Sequence, residues 1–314
     1  MKAHYKRYMM KFKVPGGTSR GILTEKETWF LFLESEEKIG VGECGLFRGL
    51  SYDDSPDFET HLGTFCDRIN QKEEIDETFL KSFPSIQMGY EMASLSLKSV
   101  DSFTIFPSAF TRGEEIIPIN GLVWMGDINH MKAQIQEKIG QGFDCVKLKI
   151  GALDFKEELS LIKDIRAIYG ADQLMIRVDA NGAFKPSEAL SRLKSLADLE
   201  IHSIEQPIAA GNHDALYELC ERTPLPIALD EELIGVVEKK KKADLLDNIV
   251  PQYLILKPSL LGGFKACEEW ISLAEERSIN WWVTSALESN IGLNAIAQWT
   301  FSLNVKSHQG LGTG

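Results

Sequence analysis

The sequence predicts an α/β fold in which strands and helices alternate and close into a barrel of the triosephosphate-isomerase (TIM) type. Three observations support this prediction. From about residue 117 onward, seven short β-rich runs alternate with amphipathic stretches of helical period. The runs are apolar enough for strands that are buried on both faces, as in parallel sheets with helical crossovers. No run is followed by the G-x-G-x-x-G turn that would favour the alternative, an open doubly wound sheet.

Two regions with different patterns divide the chain. Up to about residue 115 the sequence shows hairpin-like alternation, at 27–35 and 38–45, followed by a helix-rich stretch over 84–103. We therefore predict an α+β domain at residues 1–115 and the barrel at residues 116–314. The barrel strands are predicted at 117–124, 145–150, 174–181, 201–207, 226–233, 253–260 and 280–287.

The composition narrows the classes of function. The chain has 314 residues and a formal net charge of -12, which disfavours a nucleic acid or an anionic membrane as partner and favours a divalent cation. No apolar run is long enough to cross a membrane. The five cysteines are odd in number and scattered, which favours reduced thiols and a cytoplasmic location. The tetralysine 239-KKKK-242 is expected on the exposed face of a helix.

Charged residues at the predicted strand ends form the candidate site. The second barrel strand carries Lys147 and Lys149 on one face, opposite its apolar residues. The strands that follow end in charged residues about one βα repeat apart: Asp179, Glu205, Asp230 and Lys257. In a TIM-type barrel the active site lies at this carboxyl edge. Any one of these residues alone is more often structural, but the series is improbable as a set of independent accidents.

The three carboxylates predict a metal site. Oxygen donors from three rigid strands, Asp179, Glu205 and Asp230, suit Mg²⁺, with Mn²⁺ as the alternative ion. A metal flanked by lysines suits removal of a proton next to a carboxylate, because the cation offsets the charge that develops. We predict that Lys149 is the base and that Lys147 contacts the carboxylate of a small-molecule substrate.

These strand ends resemble those of the enolase superfamily, in its muconate-lactonising subgroup. The matching motifs are K-x-K at Lys147 and Lys149, D-A-N at Asp179 and Asn181, E-Q-P at Glu205, D-E at Asp230 and Glu231, and L-K-P at Lys257. A lysine or histidine base beside Mg²⁺ is an established property of that superfamily. The resemblance implies a (β/α)7β barrel whose mouth is covered by a capping domain at residues 1–115. It also implies that Asn181 and Glu231 contact the metal ligands, whereas the residues alone favour a structural role for Glu231 and Glu232.

Within the subgroup, the chain is most similar to o-succinylbenzoate synthases, at 18–31 in the capping domain and at 284–299 with 310–314. Dipeptide epimerases usually carry a D-x-D near the eighth strand, and residues 284–314 contain no Asp. The resemblance therefore implies a syn dehydration in menaquinone synthesis. In it Lys149 is the base and then the acid, and Lys257 is a cation on the opposite face.

The same resemblance assigns substrate contacts. Ser285, Glu288 and Arg20 would contact the substrate, and loops around Arg20–Leu23 and Phe47–Ser51 would close over it. Members of the group normally continue with a strand and a tail that run back across the capping domain. We therefore expect that the C-terminus is either disordered or trimmed.

Other functions remain open at this point. An N-acylamino acid racemase would use Lys149 and Lys257 from opposite faces, and a cycloisomerase or dipeptide epimerase would share the same equipment. A metal-free Schiff-base lyase would use Lys257 alone. A catalytically silent scaffold would show a broken ligand set, and no position of this set is broken. The oligomeric state is open, with a homo-oligomer as one alternative.

Overall fold

A computed structural model describes residues 1–18 and 21–312 of the chain. The described residues form a three-stranded antiparallel sheet and a seven-stranded parallel sheet. The predicted fold class is confirmed, because an N-terminal α+β unit precedes a parallel barrel of alternating strands and helices.

The α+β unit packs its helices on one face of the antiparallel sheet. Its elements are β1 (Lys2–Thr18), β2 (Gly21–Glu34), β3 (Ile39–Cys44), α1 (Phe58–Asn70), α2 (Glu77–Ser82) and α3 (Pro84–Lys98). Alternate residues of β2, Trp29, Leu31 and Leu33, are buried, because successive side chains of a strand point to opposite faces. They form one apolar cluster with Phe58 and Leu62 of α1.

The long strand β1 is absent from the sequence prediction. It pairs with β2 along most of its length at the edge of the sheet. Ala3 is buried, but most residues from Lys6 to Pro15 are exposed or half-buried on both faces. A strand without a buried face has no alternation of apolar and polar residues, so the period that identified β2 is missing here.

The barrel alternates strands and helices along the chain. Its strands are β4 (Gly121–Val123), β5 (Cys145–Lys149), β6 (Met175–Asp179), β7 (Ser203–Glu205), β8 (Ile227–Leu229), β9 (Tyr253–Leu256) and β10 (Asn280–Val283). Its helices are α4 (Ile128–Gly140), α5 (Phe155–Arg166), α6 (Pro186–Ala197), α7 (His213–Arg222), α8 (Lys239–Ile249), α9 (Pro258–Leu261), α10 (Gly263–Glu275) and α11 (Asn290–Ser302), with a 3₁₀ turn at Glu231–Leu233. All seven predicted strands are confirmed, and strands that follow each other in sequence are neighbours in the sheet.

A short eighth strand position closes the barrel. Gln309 pairs in parallel with Ile119 beside β4, and Gly310 pairs in parallel with Thr284 beside β10. A Cβ atom at Gly310 would lie 2.1 Å from Oγ1 of Thr284, so this close approach requires glycine. The result is the (β/α)7β arrangement.

The two faces of β5 differ as the sequence predicts. Val146 and Leu148, together with Ile150 just beyond the strand, belong to the apolar core between the barrel and its helices. Lys147 and Lys149 lie on the other face, where they contact acidic residues of the neighbouring strands.

One prediction about the tetralysine is wrong in part. Lys239, Lys240 and Lys241 are exposed, but Lys242 is 2% exposed on α8. Its ammonium lies over the ring of Trp270, 5.4 Å from the centroid, and 3.1 Å from Oε1 of Glu269. Helical period turns one lysine of the four toward the core, where its long alkyl chain can pack.

The boundary between the domains lies in the segment that joins them. Helix α3 ends at Lys98, and the first barrel pairing is at Ile119. Part of this segment packs on the barrel, since Oε1 of Gln298 on α11 accepts hydrogen bonds from the N–H groups of Ile105 and Phe106. The division at residue 115 stays a prediction. In the described part of the chain, no helix combines the length and the apolar character that a membrane span needs.

Candidate active site

The predicted acids and lysines meet at the carboxyl edge of the barrel strands. Lys149 is the register partner of Asp179, and Asp179 is the register partner of Glu205, so the three side chains stand side by side at one level. Asp230 follows the end of β8, and Lys257 follows the end of β9. The three carboxylates are buried, with at most 2% of each residue exposed.

Each carboxylate contacts at least one lysine. The Lys147 ammonium lies 2.5 Å from Oε2 of Glu205 and 3.1 Å from Oδ2 of Asp179. Lys149 donates to the same Oδ2 of Asp179 at 2.8 Å. Lys257 forms an ion pair with Asp230. The lysines are therefore the counter-charges of the acids in this arrangement, as a cluster of buried charges requires.

Lys149 and Lys257 approach one cavity from opposite sides. Strand β5 is the second and β9 the sixth of the eight strand positions around the barrel, so half of the circumference separates them. Both lysines line the same cavity at the barrel mouth. A planar group held in this cavity has an amine or ammonium on each face.

The electrostatic balance of the acids is uneven. Burial raises the pKa of Glu205 to about 8, with further contributions from the charges of Asp179 and Asp230 that outweigh Lys147. Burial alone would also raise the pKa of Asp179, but Lys147 and Lys149 bring it well below its usual range. The ionised form of Glu205 is therefore disfavoured in this arrangement, although Lys147 contacts it.

The donor set fits a divalent cation. As the side chains stand in residues 1–18 and 21–312, no three acidic, His or Cys groups converge closely enough to hold an ion, and the Lys147 ammonium lies between two of the acids. Oε1 of Glu205 is buried and has no hydrogen-bond partner among the described residues. Hard oxygen donors from three adjacent strands are the ligands that Mg²⁺ prefers. The buried Oε1 of Glu205, which no protein group contacts by a hydrogen bond in the described residues, fits a role as a cation ligand.

Asn181 connects the base candidate to the acids. Its Oδ1 accepts a hydrogen bond from Lys149 at 2.7 Å, and its Nδ2 donates to Oε1 of Glu231 at 3.0 Å. Its backbone N–H donates to Oδ1 of Asp179 at 3.0 Å. The residue has a φ of 44°, in the left-handed region that Asn tolerates better than most residues. Asn181 therefore contacts Asp179, and Glu231 contacts Asn181, while the role of both residues at a metal site stays a prediction.

Gln206 is a residue that the sequence analysis missed. Its Oε1 accepts hydrogen bonds from the N–H groups of Asp230 and Glu232, at 3.2 and 3.3 Å. Its Nε2 donates to the carbonyl of Ile208 and to Oε2 of Glu232. The side chain therefore fixes the turn that carries Asp230, and Glu232 takes part in that structural network. The available signal in the sequence was the position of this glutamine between a ligand candidate and a proline in 204-IEQP-207. The structure shows that its side chain is fully buried.

Comparison with known proteins assigns the family. The family model described as "Enolase C-terminal domain-like" matches residues 130–312. An o-succinylbenzoate synthase of Desulfotalea psychrophila is 45% identical over 100% of this chain and 94% of its own length. The chain belongs to the enolase superfamily, in its muconate-lactonising subgroup.

Solved structures agree with this membership. The crystal structure of MenC from Desulfotalea psychrophila superposes with a TM-score of 0.84 at 41% identity, covering 100% of this chain and 94% of that one. An o-succinylbenzoate synthase of Thermosynechococcus elongatus, with Mg in its active site, matches with a TM-score of 0.76 at 21% identity. That match covers 99% of this chain and 92% of the other and shows the shared fold.

The cavity wall comes from both domains of this superfamily member. Phe47 and Leu50 of the predicted capping loop line the cavity, as does Ser285 after β10. Leu122 and Trp124 of the first barrel segment also line it, and the sequence analysis missed both. They belong to a run that was recognised only as a strand, and alternation alone does not say which strand residues face a ligand.

Two predicted substrate contacts have a different outcome. Arg20 lies outside the described residues, and from Gly21 onward the predicted loop is already strand β2. Glu288 is buried but is absent from the cavity lining. Its Oε1 accepts from Oγ of Ser259 at 2.6 Å, and its Oε2 accepts from the N–H of Ala286 at 2.7 Å. Protein donors already occupy both oxygens.

Proposed function

We propose that this chain is an o-succinylbenzoate synthase, which in menaquinone biosynthesis removes a proton α to a carboxylate and eliminates water. One observation carries the proposal. Lys149 and Lys257 stand on opposite sides of one cavity, beside three buried carboxylates, in a chain similar to such a synthase along its whole length.

Asp179, Glu205 and Asp230 would hold Mg²⁺, or Mn²⁺ in its place, and Asn181 and Glu231 would orient these ligands. When bound, the ion would supply a Lewis acid that offsets the charge developing on the substrate carboxylate. The cluster of buried acids and the orphaned oxygen of Glu205 support this assignment.

Lys149 performs the proton transfers. As a neutral amine, its Nζ takes the α-proton of the cyclohexadiene carboxylate and becomes an ammonium. The C–O bond at the adjacent carbon then breaks, and the same ammonium returns the proton to the departing hydroxide, so that water leaves. One lysine serves both steps, and therefore the proton and the hydroxyl leave from the same face.

Lys257 and Lys147 stabilise charge. Lys257 stays protonated on the opposite face, where its ammonium stabilises the planar anion, in part through a cation–π contact. Its pKa is raised, because Asp230 and Glu205 outweigh the effect of burial. Lys147 contacts the substrate carboxylate. Burial alone would lower its pKa, but the charges of Asp179 and Glu205 raise it strongly, which keeps this contact cationic.

The other ligands of the proposal are few. The substrate is a small carboxylate, and Ser285 contacts its succinyl tail from the cavity wall.

We place the protein in the cytoplasm, since free, buried thiols suit a reducing compartment. They are Cys44, Cys66, Cys145, Cys220 and Cys267.

The test is direct. We expect the purified protein with Mg²⁺ to consume the cyclohexadiene substrate of the menaquinone pathway, followed as a fall in its absorbance, and to form an aromatic product. EDTA should stop the reaction, and added Mg²⁺ should restore it. No turnover, together with racemisation of N-acylamino acids, would replace the proposal with the racemase alternative. Turnover in EDTA with borohydride trapping at Lys257 would point to Schiff-base chemistry.

A further inference from the structure

A carboxylate of the capping domain caps a helix of the barrel. Glu43 on β3 is fully buried. Its Oε1 accepts from Oγ1 of Thr28 at 2.8 Å and from the N–H of Ser289 at 2.9 Å. Its Oε2 accepts from Oγ of Ser289 at 2.5 Å and from the N–H of Gly292 at 2.9 Å. Thr28 belongs to β2, whereas Ser289 and Gly292 belong to the N-cap and first turn of α11, where a negative charge is stabilised by otherwise unpaired N–H groups and by the helix dipole.

A second buried carboxylate joins the two loops that reach the cavity. Glu288 accepts from Oγ of Ser259, two residues after Lys257, and from the N–H of Ala286, which lines the cavity. Ser259 is itself fully buried. The loop after β10 and the turn after β9 are therefore held together at Glu288.

The side chains of Glu43 and Glu288 flank the same residue of α11, and the end of the capping strand lies against Ser259. A Cβ atom at Gly292 would lie 2.6 Å from Oε2 of Glu43 and 2.8 Å from Cβ of Glu288. A Cβ atom at Gly45 would lie 2.9 Å from Oγ of Ser259. The residue that follows β3 is thus in direct packing contact with Ser259 and Glu288.

Lys26 supplies the opposite charge from β2. Its residue is 7% exposed, and its Nζ has no hydrogen-bond partner among the described residues. Burial lowers its pKa, while the charges of Glu288 and Glu43 act in the other direction. Burial raises the pKa of Glu288, and the field of the Lys26 ammonium opposes that rise.

We propose that Glu43 and Glu288, balanced by Lys26, are positioning residues that tie the capping domain to the turn carrying Lys257 and to the cavity wall at 284–287. This proposal rests on the proposed function, because the effect that it predicts is on Lys257, the ammonium that faces the base Lys149. When the link is intact, Lys257 is held at a fixed distance from the substrate plane. When it is broken, Lys257 is free to move and stabilises the developing anion less well, since misplacement by about 1 Å can cost up to about a hundredfold in rate.

Ser259→Ala is the sharpest variant, because it removes one hydroxyl and leaves every other contact of Glu288 in place. We expect kcat to fall about tenfold with KM changed less than twofold, which is the pattern of a lost transition-state interaction. Glu288→Leu should give the same pattern. Glu288→Gln, whose amide can still accept from Ala286 and donate to Ser259, should recover most of the rate.

Glu91→Gln is the matched control. Glu91 on α3 is a half-buried carboxylate of the capping domain that also caps a barrel helix, since it accepts from the N–H groups of Phe264 and Lys265 on α10. It does not line the cavity. We expect this variant to lower the melting temperature at least as much as Ser259→Ala while kcat stays unchanged. An equal fall in kcat for both variants, or an unchanged kcat for Ser259→Ala, would overturn the proposal.

Hydrogen–deuterium exchange separates this link from the reaction itself. In Ser259→Ala and in Glu43→Gln, amide exchange should accelerate at residues 257–261 and 284–289, and in Glu91→Gln it should not accelerate at 284–289. Unchanged exchange in the first two variants would exclude the link. If the parent protein does not turn over the cyclohexadiene substrate but this exchange pattern is found, the proposed function fails and the link stands.

Discussion

Replacing Lys147 with methionine should destabilise the metal-free protein, and Mg²⁺ should offset the loss. The Lys147 side chain is 8% exposed and pairs with Glu205 and Asp179. In the variant Asp179 keeps its contacts with Lys149 and with the N–H of Asn181. Glu205 loses the only hydrogen bond that its carboxylate receives from the described residues. The perturbation therefore acts mainly on Glu205.

The magnitude depends on pH. Removing one partner of a buried ion pair costs about 3–5 kcal/mol, because the other charge stays buried without compensation. The pKa of Glu205 is already raised from 4.5 to about 8, so the carboxyl can avoid that penalty by binding a proton. A carboxyl with a pKa raised on folding stabilises the fold fully below its unfolded pKa and loses this contribution as pH rises through the folded pKa. We expect the variant to lose about 3 kcal/mol or less at pH 6 and about 5 kcal/mol at pH 9.

Urea unfolding of both proteins, in EDTA and in saturating Mg²⁺, measures this loss. The loss should shrink in Mg²⁺, since the ion replaces the missing positive charge. Lys242→Met is the control: Lys242 is also buried, but its partner Glu269 is 32% exposed and can be hydrated when the lysine is removed. The control should lose less and should respond neither to Mg²⁺ nor to pH through Glu205. A Lys147→Met loss that is the same with and without Mg²⁺, or larger at pH 6 than at pH 9, would refute the reasoning.

Three further predictions follow from the same contacts. Lys149→Ala should reduce α-proton exchange of the substrate in D₂O by at least about a thousandfold, whereas calorimetry should still detect Mg²⁺ binding; exchange at the parent rate would remove Lys149 as the base. Gln206→Leu should weaken Mg²⁺ binding by about 10–100-fold, since the N–H groups of Asp230 and Glu232 lose their acceptor, and an unchanged titration would contradict that role. Mg²⁺ should bind more tightly as pH rises from 6 to 9, because Glu205 must release a proton with a pKa of about 8, and a flat profile would exclude Glu205 as a ligand.

The barrel and the centre of its site could be predicted because both obey local periods. Alternation within β5 sends Lys147 and Lys149 to one face, and a βα repeat of nearly constant length brings Asp179 and Glu205 to the same edge. These relations involve one strand or its immediate neighbour. The alternation of residues within a strand and the spacing between strands can both be recognised in the sequence alone.

Other features depend on contacts that no local pattern records. Glu43 precedes Ser289 by 246 residues, and their hydrogen bond joins the two domains. Within 41-VGECG-45 the glutamate has the appearance of an ordinary strand residue. Lys242 is polar by composition, and its burial depends on Trp270 across the helix interface. The environment of Lys242 and of Glu288 depends on residues that are distant in the sequence. For this reason the sequence analysis placed Lys242 in solvent and Glu288 in contact with substrate, whereas Lys242 packs on Trp270 and Glu288 binds Ser259.

The contacts of the lysines also bear on the order of events in the site. Asp179 is paired with Lys147 and Lys149, Glu205 with Lys147, and Asp230 with Lys257. In the described arrangement, each acid that would hold the metal contacts at least one of the lysines that would contact the substrate. Asp179, Glu205 and Asp230 would hold a divalent ion that offsets their charge, and Lys147, Lys149 and Lys257 would then be available to the substrate carboxylate and to its two faces. Binding of the ion before the substrate would therefore avoid burying uncompensated charge, because a carboxylate substrate that arrived first would add negative charge beside Glu205, whose ionised form burial already disfavours.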